Sequence, residues 1–177
     1  MNWLRKLMGK PTEQPRCVGN NVGLKTIVYR GGLVTFRIPD NWIEEYGEEG
    51  GGTFYEEAPD STTFRLEVIS MEPSSPVTSE SAPKVLSTLG SIAPGTIEQL
   101  PGGCALVRYE QFPTDRGHQL CVTYWSVAHV IPPNHVRLAT FSHTMLEHQR
   151  GDARFQEELA LLDREVRACT FSSVVGV

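Results

Sequence analysis

The alternation of hydrophobic and polar positions is densest between His118 and Leu146. HQLCVTYWSVAHVI and HVRLATFSHTML read as two long strands joined by Pro132, Pro133 and Asn134. The prolines restrict φ and remove donors, and asparagine tolerates turn geometry. In the first strand Leu120, Val122, Tyr124, Ala128 and Val130 share one face, while Cys121, Trp125, Val127 and Ile131 share the other. A strand that is apolar on both faces needs cover on both, so the pattern predicts a sheet with helices packed against it.

Shorter periodic stretches flank this hairpin. Leu24 to Arg30 and Leu33 to Ile38 read as strands around Gly31-Gly32, with Val34, Phe36 and Ile38 facing the core. Pro39 ends the second, and Trp42 and Ile43 are expected to tuck beneath the sheet edge. Thr53 to Glu57 is a short strand. Thr63 to Met71 is a clearer one, with Phe64, Leu66, Val68 and Ser70 on one side. Thr96 to Leu100 and Ala105 to Phe112 follow the same rule, joined through Pro101-Gly102-Gly103. Two stretches carry a helical period. The first spans about Ser79 to Ser91, with Val85, Leu86, Leu89 and Ile92 on its apolar face and Pro83 confined to the first turn. The second spans about Asp152 to Cys169, with Asp152 as N-cap and a stripe of Phe155, Leu159, Leu162, Val166 and Cys169.

At 177 residues and 40% hydrophobic, the chain can bury the core of one soluble domain. We expect that domain over 24–177, preceded by a basic N-terminal extension and linker over 1–23. The net charge of −5 hides an asymmetry. Residues 1–37 hold seven basic residues against one acid, a balance of +6, and the remainder holds nine against twenty, a balance of −11. An acidic body repels nucleic acid, so no nucleic-acid binding is expected. Trp3, Leu4, Leu7 and Met8 fall on one side of a short amphipathic start and form a candidate docking arm or membrane-surface contact. Arg5 and Lys6 interrupt the apolar run that a secretory signal requires. With four cysteines and no C-x-x-C pair, reduced thiols and a cytoplasmic location are the expectation.

No G-x-S-x-G elbow, Walker A loop or H-E-x-x-H motif occurs. The glycine run Gly50 to Gly52 lacks a nearby lysine and lies among Glu48, Glu49, Glu56 and Glu57, which argues against a phosphate cradle. His135 and His143 lie roughly 26 Å apart along an extended strand, too far to share a metal ion. No metal or cofactor is expected. Cys104 or Cys121 with His118 or His129 would make a thiol dyad only if the thiol were exposed in an electropositive setting. The most unusual local feature is acidic. Glu44, Glu45, Glu48, Glu49, Glu56 and Glu57 occur with no base between them, read as a mobile, solvated loop and a candidate surface for a basic partner.

The punctuation Ile38-Pro39-x-x-Trp42, then Gly52-Thr53-Phe54-Tyr55 and the strand Phe64 to Ser70, resembles bacterial members of the Mog1/PsbP-like group. So do the helix preceded by Ser and Pro, the long strands including Val136 to Met145, and the closing Cys169-Thr170-Phe171. The resemblance covers about Leu24 to Phe171. It implies a single α+β domain with a twisted antiparallel sheet of about six to seven strands flanked by helices, an α/β/α sandwich. It also implies a non-enzymatic binding module or adaptor with a protein partner. Alternatives are a type VI secretion effector chaperone and, from another class, a small Cys/His-dependent hydrolase.

Overall fold

The computed structural model describes residues 23–48, 50–89 and 95–174. In chain order it contains β1 (Leu24–Tyr29), β2 (Val34–Pro39), β3 (Ile43–Tyr46), β4 (Gly52–Tyr55), β5 (Thr63–Met71), α1 (Ala82–Thr88), β6 (Ile97–Leu100), β7 (Cys104–Gln111), β8 (Thr114–Asp115), β9 (His118–Ile131), β10 (His135–Leu146), α2 (Ala153–Arg167) and β11 (Thr170–Phe171). The expected hairpin is β9 with β10, paired from His135 opposite Ile131 to Leu146 opposite Leu120. It lies in the middle of a large antiparallel sheet of order β3-β4-β5-β10-β9-β7-β6, with β8 attached to β9. The main path has the number of strands expected. β1, β2 and β11 form a separate three-stranded sheet.

The two apolar faces of β9 are covered differently. On one face Trp125 and Val127 join Phe54, Phe64, Leu66, Leu106 and Phe141 in the main core. Their cover comes from two sources: α2, through Leu159, Leu162 and Val166, and the small sheet, through Ile27, Tyr29, Val34, Phe36 and Ile38. Phe36 places its ring edge-on to Phe54, Phe64 and Phe141, with centroids 5.5, 6.2 and 5.2 Å away, a geometry that suits the aromatic quadrupole. A small sheet shares the cover with α2 because the alternating Val34, Phe36 and Ile38 carry one apolar face, as the pattern required.

On the other face Ala105, Val107, Ala128, Val130, Val136 and Leu138 pack under Ala82 and Leu86 of α1. The helix is shorter than predicted. A turn at Ser79–Ser81 precedes it, Pro83 sits in its first turn, and it closes at Thr88; Ile92 lies outside the described residues. Seven residues at 1.5 Å each make a helix about 10 Å long, and it contacts β6, β7 and β9. Elsewhere on this face Ser126 and Val122 are buried, while Arg65, Ser142, Tyr124 and Tyr109 are half-buried or exposed.

Two local expectations need correcting. Glu44 and Glu45 are not in a loop but in β3, paired with Phe54 and Thr53. Local charge repulsion is outweighed because Lys25 and two tyrosines supply partners for the carboxylates. Cys169 lies beyond α2, which ends at Arg167 with Ala168 as its cap. The cap at the other end is as expected: Asp152 accepts from the Arg154 amide at 2.8 Å.

Candidate functional site

Strand lengths create the most distinctive concavity. β5 has nine residues, but β4 pairs with it only from Thr63 to Leu66. Beyond Leu66, this edge of β5 has no ladder partner among the described residues. A cavity of about 550 Å³ opens there, lined by the edge from Leu66 to Ile69 and by Tyr29, Arg30, Gly51, Thr140 and Ser142. That volume is in the range of small-ligand and peptide side-chain sites. The rim needs glycine. Gly50 and Gly51 have φ of 114° and 82°, and a Cβ on Gly51 would stand 3.2 Å from the Leu66 carbonyl oxygen. The Gly51 amide donates to the Tyr29 hydroxyl at 2.7 Å, which pins the rim. Arg30, itself at φ 42°, lies against Gly50 with its guanidinium 5.7 Å from the Tyr29 ring centroid. A shallower recess of about 260 Å³ continues past Val28 and Tyr46, which are 61% and 53% exposed.

The notch is lined mainly by charged, hydroxyl and backbone groups. Arg30 and Arg65 form no ion pair among the described residues, and against them stands one acid, Glu67. Thr53, Thr140 and Ser142 add hydroxyls. The glycine run thus meets two arginines brought by distant segments, which the neighbouring acids in the sequence did not suggest. The readable signal was the mismatch between a short strand at Thr53 and a long one at Thr63.

The acidic residues singled out from the sequence do not form one free surface. Glu44 pairs with Lys25 at 2.9 Å and accepts from the Tyr46 hydroxyl at 2.7 Å. The hydrogen bonds from Lys25 and then Tyr46 hold its carboxyl below the ordinary range. Burial, then Glu44, pushes the Tyr46 phenol up to about 12. Glu45 accepts from the Tyr55 hydroxyl at 2.7 Å, and Glu56 pairs with Arg154 and Asn41. Glu48 and Glu57 are exposed. Glu49 and the arm residues Trp3, Leu4, Leu7 and Met8 lie outside the described residues.

Cys104 and Cys121 are 8% and 2% exposed, and neither bonds a histidine among the described residues. Cys104 does stand opposite His129 in the ladder, but the His129 ring stacks on Phe171 with centroids 5.0 Å apart. Burial pushes the Cys104 thiol up to about 11. The condition set for a thiol dyad, an exposed thiol in an electropositive setting, is therefore not met by Cys104 or Cys121. His143 is fully buried, 2.8 Å from a Glu158 carboxylate oxygen, because α2 closes over that part of β10. Among the described residues no group of three His, Cys, Asp or Glu could hold a metal ion, and no helix is long and apolar enough to cross a membrane.

No family model matches the chain, and no curated protein does. Solved structures are similar in fold. One from Bacteroides thetaiotaomicron VPI-5482 has a TM-score of 0.56 at 16% identity, over 84% of this chain and 48% of that one. LpqN, involved in cell envelope biogenesis of Mycobacterium tuberculosis, has a TM-score of 0.55 at 14% identity, over 86% of this chain and 92% of LpqN. The fold is the α+β antiparallel-sheet fold that the resemblance to the Mog1/PsbP-like group implied. Cyanobacterial PsbP from Synechocystis sp. PCC 6803 superposes more loosely, with a TM-score of 0.39 at 13% identity over 90% of this chain and 99% of that one, and adds no weight of its own. This chain spans about half the length of the Bacteroides protein. At these identities the likeness is one of fold alone, which many functions share.

Proposed function

We propose that this protein is a non-enzymatic protein-binding module. The observation that carries the reading is the half-face of the large sheet beyond α1. There the cross-strand row Thr53, Arg65, Ser142, Tyr124 and Tyr109 stays half-buried or exposed, in the middle of a sheet whose other face carries the main core. Tyrosine and arginine among small hydroxyl residues are the side chains that protein interfaces favour. Tyr109 and Tyr124 stack with centroids 5.0 Å apart, which stiffens the platform and lowers the entropy lost on binding. Cys104 and Cys121 are buried and bond no histidine among the described residues, so the hydrolase reading has no support from them. A secretion-effector chaperone needs an apolar groove for a helix, and this face is polar. The cytoplasmic location stays part of the reading, together with reduced thiols.

The test is co-purification of the full chain from its native host, followed by mass spectrometry, beside a Ser142→Lys variant that adds charge to the middle of the row. A stoichiometric protein partner retained by the native chain and lost by the variant supports the reading. A chain that retains no partner even after cross-linking overturns it.

A further inference from the structure

The unpaired edge of β5 has a consequence beyond that reading, on which it rests: it specifies what kind of partner is bound. We propose that the notch takes an extended peptide segment carrying an acidic side chain, added as a strand alongside Glu67–Met71 where β4 stops.

Three independent features converge there. The first is the backbone. β5 runs on to Met71 while its ladder with β4 ends at the pair Gly52 and Leu66. Native sheets usually blunt such an edge with charge, proline or a covering loop. Here Val68, Ile69, Ser70 and Met71 carry no charge, and Ile69 is 43% exposed. Five residues at about 3.3 Å each give an edge of roughly 17 Å, enough for a short added strand. The second is access. The chain enters β4 through Gly50 and Gly51 in left-handed conformations, so the rim turns aside, and the Leu66 to Ile69 edge borders the cavity instead of a covering strand. Val28 and Tyr46 extend the apolar floor of the adjoining recess. The third is charge. Arg30 stands at the rim and Arg65 on the open face, each without an ion pair among the described residues, against the single Glu67. A guanidinium holds a carboxylate by paired, charge-assisted hydrogen bonds. The bound strand would thus pair its main chain with β5 and set an acidic side chain against Arg65, with Arg30 adding positive charge at the rim and Thr140 and Ser142 supplying hydroxyls.

The test uses the full-length, isotope-labelled chain and a blocked hexapeptide of alternating threonine and valine with one central glutamate. Amide shifts confined to Glu67–Met71, Gly51 and Arg30 are expected. Affinity should fall at least tenfold when the glutamate becomes lysine, when alternate peptide amides are N-methylated in the register that faces β5, and in the Arg65→Gln protein. Arg65 is exposed, so that variant keeps the fold; Arg30→Gln is the second variant. No shifts, equal binding of the lysine or of both N-methylated peptides, or the same shifts from free glutamate would overturn the proposal. Failure here is separable from failure of the binding-module reading. A host partner retained equally by native chain and Arg65→Gln removes the edge site and leaves the module.

Discussion

His143 donates from Nε2 to a carboxylate oxygen of Glu158 at 2.8 Å, and the Thr62 hydroxyl donates to the same oxygen. This contact fastens α2 to β10 and to the segment entering β5. His143 is fully buried and the Glu158 side chain is 14% exposed. A buried donor stripped of its partner costs about 1–3 kcal/mol, and Glu158→Ala strips two. The expected loss is about 2–3 kcal/mol by urea denaturation, with an unchanged slope. A loss below about 0.5 kcal/mol, within the range of ordinary surface substitutions, would show that solvent replaces the contact.

Thr123 stands directly across the ladder from His143. Both Thr123 Oγ1 and His143 Nδ1 are buried without a hydrogen-bond partner among the described residues. Removing an unsatisfied hydroxyl while keeping the branched shape is favourable. Thr123→Val is therefore expected to leave stability unchanged or raise it by about 1 kcal/mol, read as an equal or higher melting temperature. A drop of about 1 kcal/mol would show that the hydroxyl bonds Nδ1 after all.

Much of the fold was legible because it rests on periodicity. The two-faced β9, the core faces of β2 and β5, and the stripe of α2 all follow from which residues alternate, and each is seated as read. The division into two sheets was not legible. The same alternation in Val34, Phe36 and Ile38 serves a strand in a covering sheet as well as one in a central sheet. The acids misled because Glu44 and Glu56 find Lys25 and Arg154 only after folding. The notch shows the reverse: Arg30 and Arg65 gather at Gly50 and Gly51 from other segments, and no local window contains that meeting.

Asp163 links α2 to the sheet by accepting from Trp125 Nε1 at 2.7 Å and from Arg167 Nε at 2.7 Å. Burial pushes its carboxyl up, but the bonds from Arg167 and Trp125 outweigh that and hold it below its ordinary value. A carboxylate with a depressed folded value stabilises the fold above its unfolded value, near 3.9, and that contribution is lost as pH falls through the folded value. Stability should thus decline below about pH 4, and Asp163→Asn should flatten the decline while lowering stability at pH 7. Equal acid slopes in the two proteins would assign the acid sensitivity to other carboxylates.

Burial pushes the thiols of Cys104 and Cys169 up to about 11 and about 12, and that of Cys121 up as well. The thiolate is the reactive form, so at pH 8 these groups are almost wholly protonated. A Cys17→Ser chain isolates them. In it the native-state labelling of Cys104 and Cys169 by an aromatic disulfide at pH 8 should run more than about a hundredfold slower than that of a free thiol, from thiolate fraction alone. Denaturant should then release all three, because unfolding returns each thiol to an ordinary value near 8.5. Rapid labelling of Cys104 or Cys121 in the folded chain would mean an accessible thiolate beside a strand that also carries His129. In that case the binding-module reading would give way to a thiol-dependent reaction.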